Sequence, residues 1–344
     1  MDNKSRNKVM VLEAEEEVGG GEFEHLPEGC IANIVSFTTP PDACVLSLVS
    51  SSFRSASVTD FVWERFLPSD YQAIISQSSK PSTLTNYSSK KDLYLHLCHN
   101  PLLIDAGKKV LQIKSFFLSI IIHVYLSLIG KLINHQSFAL DKLNGKICYM
   151  LSARSLSIVW GDTPRYWRWT SVPAARFSEV AELVSVCWLE IKGGIKSGTL
   201  SEKTLYGAYL VFKQRSGGAY GFYNQPVEVS VEGRRRTVYL EEAETPRRPR
   251  EQIVPGIFSR VRSRFLDSFD AAPPPPPPNA KGGGEYPKER SDGWMEVELG
   301  DFFNVGGEKE KEKEVEIGVY EVKSGGWKAG ILVQGIEIRP KHKN

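Results

Sequence analysis

Charge imbalance is the first thing this chain lacks. Its 344 residues carry 43 Lys and Arg against 41 Asp and Glu, a formal net charge of +2. That balance is too even for a surface that binds nucleic acid by electrostatics alone. Cysteine is sparse as well. The five residues Cys30, Cys44, Cys98, Cys148 and Cys187 are odd in number and scattered, with no CxxC or CxxxH pattern. This excludes a recognisable zinc site or disulfide framework and points to a reducing compartment, cytoplasmic and/or nuclear. The N-terminus is acidic and glycine-rich and lacks the apolar core of a signal peptide, so residues 1–22 read as a disordered leader.

Catalytic signatures are missing too. There is no G-x-S-x-G elbow, no GxxxxGK[ST], no HExxH and no Rossmann fingerprint. His96 and His99 stand three apart with no Cys, Asp or Glu at ligand spacing, which reads as a surface pair rather than a metal site. No pair of carboxylates is marked as acid and base. The sequence calls for no catalytic residue, no metal and no cofactor.

Long apolar runs are nearly absent, with one exception. The stretch "SFFLSIIIHVYLSLIG", residues 115–130, has 16 residues between Lys114 and Lys131, whereas a membrane-spanning helix needs about 20. It also holds His123 and three serines. A buried or aberrant segment fits it better than a membrane span.

What is present falls into two patterns. In residues 26–68, Ile31, Ile34 and Val35 recur at helical spacing, and the pair Pro40 and Pro41 ends that helix. Asp42 is placed to cap a second helix, "DACVLSLVSSSFRSA", with Ala43, Leu46, Val49, Ser50 and Phe53 on one face. A last turn holds Phe61, Val62, Trp63 and Phe66. So small a core is marginal alone. It packs on its neighbour, or it offers an apolar face to a partner helix. Residues 69–109 read as a helical, Ser/Lys-rich connector with Leu93, Leu97 and Tyr94 on one face.

Beyond Phe138 the period changes to two. "CYMLSARSLSIVW", "AELVSVCWLEI", "YGAYLVFK", "PVEVSVEG", "GWMEVELGDFF", "EVEIGVYEVK" and "GILVQGIEIRP" alternate between apolar and polar positions and are separated by Gly-rich turns. They predict an antiparallel β-sandwich, jelly-roll-like so that its edges are covered. Two inserts interrupt it. Residues 243–291 contain a basic stretch and the run Pro273 to Pro278, read as a polyproline II spacer rather than a ligand for an aromatic groove. "GGEKEKEKE", residues 306–314, reads as a solvated hairpin loop. Arg234, Arg235 and Arg236, and Arg247, Arg248 and Arg250, are offset by nearby Glu241, Glu242 and Glu244 and read as solvated surface.

Three of the seven tryptophans lie in "WGDTPRYWRW", residues 160–169. A buried ring is the default for any one tryptophan, and Trp188, inside an apolar run, reads as core. Three around one Gly-Asp-Pro turn shift the balance toward the rim of the sandwich, where turns lie. Sugars expose C–H faces that stack on such rings and hydroxyls that need carboxylate or amide partners.

Two resemblances rest on these residues. Leu26-Pro27, the Pro-Pro-Asp-Ala-Cys turn, "LVSSSFR" and "VWERF" resemble the F-box, the motif by which substrate receptors dock on the Skp adaptor of cullin–RING (SCF-type) ubiquitin ligases. The resemblance implies adaptor contacts by Leu26, Pro27, Ile31 and Ile34, with Trp63 and Phe66 mostly core. From Phe138 to Lys341 the strand blocks quoted above are similar to the plant phloem protein 2 lectins, relatives of the jasmonate-inducible agglutinins. That likeness implies a jelly-roll domain binding N-acetylglucosamine oligomers or N-glycan cores. It carries the sugar-contact role onto Trp160, Trp167, Phe303, Glu314 and Glu321, and leaves Trp169 and Trp188 structural.

Relatives of this kind are expected to run from "AGKK" almost directly into "SFALDK", so the 27 residues 110–136 are an excess. The codons of Val and Gln allow the GT and AG ends of an intron, and the segment reads as a gene-model or splicing artefact rather than a membrane anchor. The whole is α+β by modules: a leader (1–22), a small helical F-box (23–68), a connector (69–109), the apolar insert (110–136) and an all-β jelly-roll-like lectin domain (137–344). The expected partners are the Skp adaptor with its cullin ligase core and a glycoprotein or oligosaccharide ligand. The rival reading is a receptor whose β-domain recognises protein without sugar.

Overall fold

A computed structural model describes residues 26–78, 87–105, 135–241, 285–308 and 311–342. The leader, the apolar segment 115–130 and the proline run 273–278 lie outside the described residues. Among the described residues no helix is long and apolar enough to cross a membrane.

The N-terminal unit begins with α1 (Glu28–Val35), whose Ile31, Ala32 and Val35 are buried. In α2 (Pro40–Leu46) the N-cap is Thr39, not Asp42. Thr39 Oγ1 accepts from the Asp42 backbone N–H at 3.3 Å, and Asp42 Oδ2 accepts from that of Thr39, a reciprocal capping box. The helix expected to run from Asp42 to Ala56 is broken in two. Ser50 Oγ accepts from the Phe53 N–H and starts α3 (Ser51–Ser57), because a serine hydroxyl competes for backbone donors that would otherwise continue the helix. Val49 therefore leaves the buried face and is exposed. In α4 (Asp60–Phe66), Trp63 is buried and its Nε1 donates to the Ser57 carbonyl at 2.7 Å.

The connector holds α5 (Tyr71–Ser76) and α6 (Lys90–His99), the latter with Leu93, Tyr94 and Leu97 buried. It is not wholly helical, since β1 (Leu102–Asp105) pairs with β2 (His135–Leu140) and so belongs to the sheet. Trp63 and Tyr94 pack with ring centroids 5.3 Å apart, and Tyr94 Oη donates to the Asp141 carbonyl at 3.1 Å. Gly145, at φ +68°, sits where an added Cβ would lie 2.6 Å from the Phe66 carbonyl oxygen. Helical unit, connector and β-domain thus meet at one junction and share one apolar core.

The remaining strands are β3 (Ile147–Ser152), β4 (Ser157–Ile158), β5 (Trp167–Thr170), β6 (Val180–Leu183), β7 (Leu189–Lys196), β8 (Thr204–Gln214), β9 (Val227–Val231), β10 (Arg234–Val238), β11 (Lys288–Glu289), β12 (Met295–Asn304), β13 (Glu314–Glu321) and β14 (Ile331–Pro340). One sheet runs β1-β2-β3-β14-β8-β12-β11, with β6 joined to β14 and β5 to β6; the other runs β10-β9-β13-β7-β4. The strand pairs are antiparallel. Alternate residues, such as Val227, Val229 and Val231 of β9, are buried between the sheets.

The chain changes sheet repeatedly, from β6 to β7, β7 to β8, β8 to β9, β12 to β13 and β13 to β14 among other places, which makes the sandwich jelly-roll-like. The acidic and basic run after β12 is therefore a crossover between sheets and not a hairpin loop. The insert placed at 243–291 also ends earlier, because β11 pairs with β12 and Tyr286 stacks on Tyr239 at 4.8 Å.

Candidate functional site

Two surfaces follow from this arrangement. The first is the face of the helical unit. Ile34, Phe37, Val45, Leu48, Val49, Val58 and Phe61 are all exposed, Leu48 by 76 %. Of the four residues expected to meet an adaptor, Pro27 and Ile34 are exposed and Leu26 is half-buried. Ile31 is not available: it is 0 % exposed, because it lies one residue before Ala32 and four before Val35 on the face turned to α3 and α4. The exposed Val45 and Leu48 were not singled out from sequence, and Phe61 was named only with the apolar residues of the last turn, since an apolar residue in an amphipathic pattern reads as core until the packing partners are known.

The second surface is on the sandwich, and the five residues assigned to sugar contact do not converge there. Glu314 begins β13 opposite Lys196, and Glu321 ends it opposite Leu189. Seven residues of extended chain separate them by about 23 Å. Phe303 pairs with Leu205 at the start of β8, the same end as Glu314, and is exposed. Trp160, Trp167 and Glu321 belong to the opposite end. There the backbone stitches four loops together: Val159 N–H donates to Glu190 O at 3.1 Å, Val184 N–H to Tyr166 O at 2.9 Å, Val186 and Lys328 exchange both bonds, and Tyr220 and Ala329 do the same.

At this loop end Trp160 is exposed at φ +57°, an uncommon conformation for a bulky residue. Its turn closes through Gly161 N–H to Ile158 O and Thr163 N–H to Trp160 O, both at 2.9 Å. Its ring lies 5.1 Å from that of Tyr166. Trp167 departs from expectation. It is 2 % exposed on β5 against β6, and its Nε1 has no hydrogen-bond partner among the described residues. Its ring faces the core and is closed to a stacking ligand. Trp169 is half-buried, gives its Nε1 proton to Gly161 O at 3.1 Å and lies under Arg154.

Glu321 is buried too. Its carboxylate pairs with Lys328 Nζ and accepts from Ser324 N–H at 3.1 Å, Ser324 Oγ at 3.0 Å and Gln225 Nε2 at 3.3 Å. It organises the loop from β13 to β14 from within. Trp188 departs in the other direction. It precedes β7 instead of lying inside it, is 43 % exposed, and donates its Nε1 proton to Glu190 Oε2 at 2.9 Å. Bonds from Lys192 first, and Trp188 second, hold the Glu190 carboxyl below its ordinary value, so it is charged near neutral pH.

Comparison with known proteins identifies both parts of the chain. The F-box domain family matches residues 23–65, and the phloem protein 2 family matches residues 146–340. Among curated relatives from Arabidopsis thaliana, F-box protein PP2-B1 is 39% identical over 338 residues, covering 94% of this chain and 91% of the relative. F-box protein PP2-B10 is 39% identical over 318 residues, 92% of this chain and 94% of the relative. F-box protein VBF is 40% identical over 321 residues, 92% and 99% respectively. With both family models matched and relatives aligned over almost the full length, the chain belongs to the plant family of F-box proteins with a phloem protein 2 domain.

Proposed function

We propose that this chain is a substrate-recognition subunit of an SCF-type E3 ubiquitin ligase, with the F-box docked on the Skp adaptor and the β-domain binding N-acetylglucosamine-containing glycans or N-glycoproteins. It acts in the cytoplasm or nucleus and is not itself a catalyst. The ligase chemistry resides on other subunits, and this chain brings the target within their reach. The observation that carries the reading is the strip of exposed apolar side chains on a helical unit of about forty residues. Such a strip marks a protein-binding surface.

The test is co-purification of the full chain with a Skp-family adaptor, followed by glycan-array binding of the resulting complex. Complex formation with retention of N-acetylglucosamine-containing glycans is the expected result. No complex sinks the ligase reading; a complex that retains no glycan sinks the sugar reading. The burial of Trp167 and Glu321 favours a second reading, in which the β-domain recognises protein surfaces without sugar.

A further inference from the structure

If the β-domain binds sugar as proposed above, the residues that touch it need open rings and open carboxylates, which Trp167 and Glu321 do not have. A groove of about 370 Å³ does have open walls at the loop end, a size ordinary for ligand sites. It lies on the outer face of the five-stranded sheet and is lined by Glu228, Tyr320, Glu321, Lys323 and Ser324, among others, with the Glu321 carboxylate taken up by Lys328 and Ser324. The register extends it into a row: Tyr320 of β13 stands between Glu228 of β9 and Glu190 of β7. Beyond Glu190 come Trp188, bonded to it, and Trp160, whose neighbour Val159 is bonded to the Glu190 carbonyl. Three inter-strand steps from β9 to β4 span about 14 Å.

Two independent features mark this row as a ligand surface. Trp160 and Trp188 are 44% and 43% exposed at the rim of a sandwich whose inner rings, Trp167, Trp294 and Phe302 among them, are buried, and Trp160 is held in a left-handed conformation. Backbone strain of this kind is concentrated at functional sites, ligand clamps among them. Charge and ring also alternate along the row. Glu190, its side chain 18% exposed, sits between Trp188 and Lys192, and Glu228, 27% exposed, between Arg235 and Lys323. A protein hot spot centres on a well-packed, fully desolvated pocket. Spaced rings with carboxylates between them suit a chain of linked sugar rings, with C–H faces on the aromatics and hydroxyl or acetamido donors on the carboxylates.

We infer that the sugar-contacting surface is this row, with Trp160, Trp188 and Tyr320 as stacking rings and Glu190 as the principal acceptor, and that Phe303 and Glu314, at the far end of the sandwich, take no part in it. The inference rests on the sugar-binding reading, and the experiment separates the two. The probe is the N-acetylglucosamine trimer, titrated into the full chain and into Trp188→Ala, Glu190→Gln and Phe303→Ala variants, each checked for an unchanged thermal midpoint. Glu190→Gln leaves the rings in place and keeps the test valid should Trp188→Ala fail to fold.

The expected result is at least tenfold weaker binding for Trp188→Ala and Glu190→Gln, with Phe303→Ala within twofold of the parent. Binding that survives Glu190→Gln within twofold, or is lost in Phe303→Ala, overturns the placement. Failure of the parent chain to bind the trimer overturns the sugar-binding reading itself, and this inference with it.

Discussion

Glu321 and Lys328 form an ion pair inside the loop that joins β13 to β14, with side chains only 3% and 1% exposed. Lys328 Nζ also donates to the Gly326 carbonyl at 2.6 Å, so the pair ties down the segment that carries the exposed Trp327. Beside it Gly221, at φ +78°, has no room for a Cβ, which would meet the Trp327 carbonyl oxygen at 2.1 Å.

Removing one partner leaves a buried charge uncompensated, at a cost of about 3–5 kcal/mol. Lys328→Met is expected to lose stability on that scale in urea denaturation. The double variant Glu321→Gln, Lys328→Met is expected to recover a large part of it. A single variant with an unchanged denaturation midpoint would show that the pair is open to water.

A second buried network predicts acid sensitivity. Glu337 is 8% exposed and meets Arg176 at 3.2 Å, Arg290 at 2.6 Å and Arg339 at 2.8 Å. Burial alone would raise its carboxyl, but the Arg290 and Arg176 charges and the Arg290 hydrogen bond outweigh it and hold the group at about 2, against an ordinary 4.5. A carboxyl depressed by folding stabilises the folded state fully above its unfolded value, and that contribution disappears as pH falls through the folded one. The window is therefore pH 4.5 down to 2, and the contribution about 3 kcal/mol. Thermal midpoints of parent and Glu337→Gln across that window should converge at the acid end.

The two isoleucines of α1 separate folding from docking. Ile31→Ala removes a fully buried side chain and is expected to cost about 2–5 kcal/mol of stability. Ile34→Asp changes a side chain that is 43% exposed, so the chain should stay folded while adaptor affinity falls at least tenfold. Denaturation and co-purification, run side by side, should give opposite rankings.

The junction between F-box and β-domain depends on Gly145. A side chain there meets both the Phe66 carbonyl and the Tyr94 ring while the backbone stays at positive φ. Gly145→Val is expected to lower the thermal midpoint and speed protease cleavage near the connector. An unchanged cleavage pattern would mean that the junction does not couple the two units.

Much of the architecture was legible in the sequence because it depends on period. Helical spacing around Ile31 and Val35 and alternation in "EVEIGVYE" each declare which residues turn inward along one element. Local chemistry was less legible. The change from Asp42 to Thr39 as N-cap and the break at Ser50 turn on single hydrogen bonds, and a sequence pattern admits several of these. The strands β1 and β11 are short and carry too few alternations to stand out from the connector and the insert around them.

The sequence by itself determined the domain order, the fold class and the family, since motif spacing and hydrophobic period are local properties of the chain. Tertiary structure alone decided which tryptophan faces solvent. Trp188 lies in an apolar run and Trp167 between Tyr166 and Arg168, yet pairing with β6 turns Trp167 into the core, and the start of β7 one residue later leaves Trp188 on the rim. It also decided that Glu314 and Glu321, neighbours in one short motif, stand at opposite ends of the sandwich, because an extended strand spends its seven residues on distance rather than on bringing side chains together.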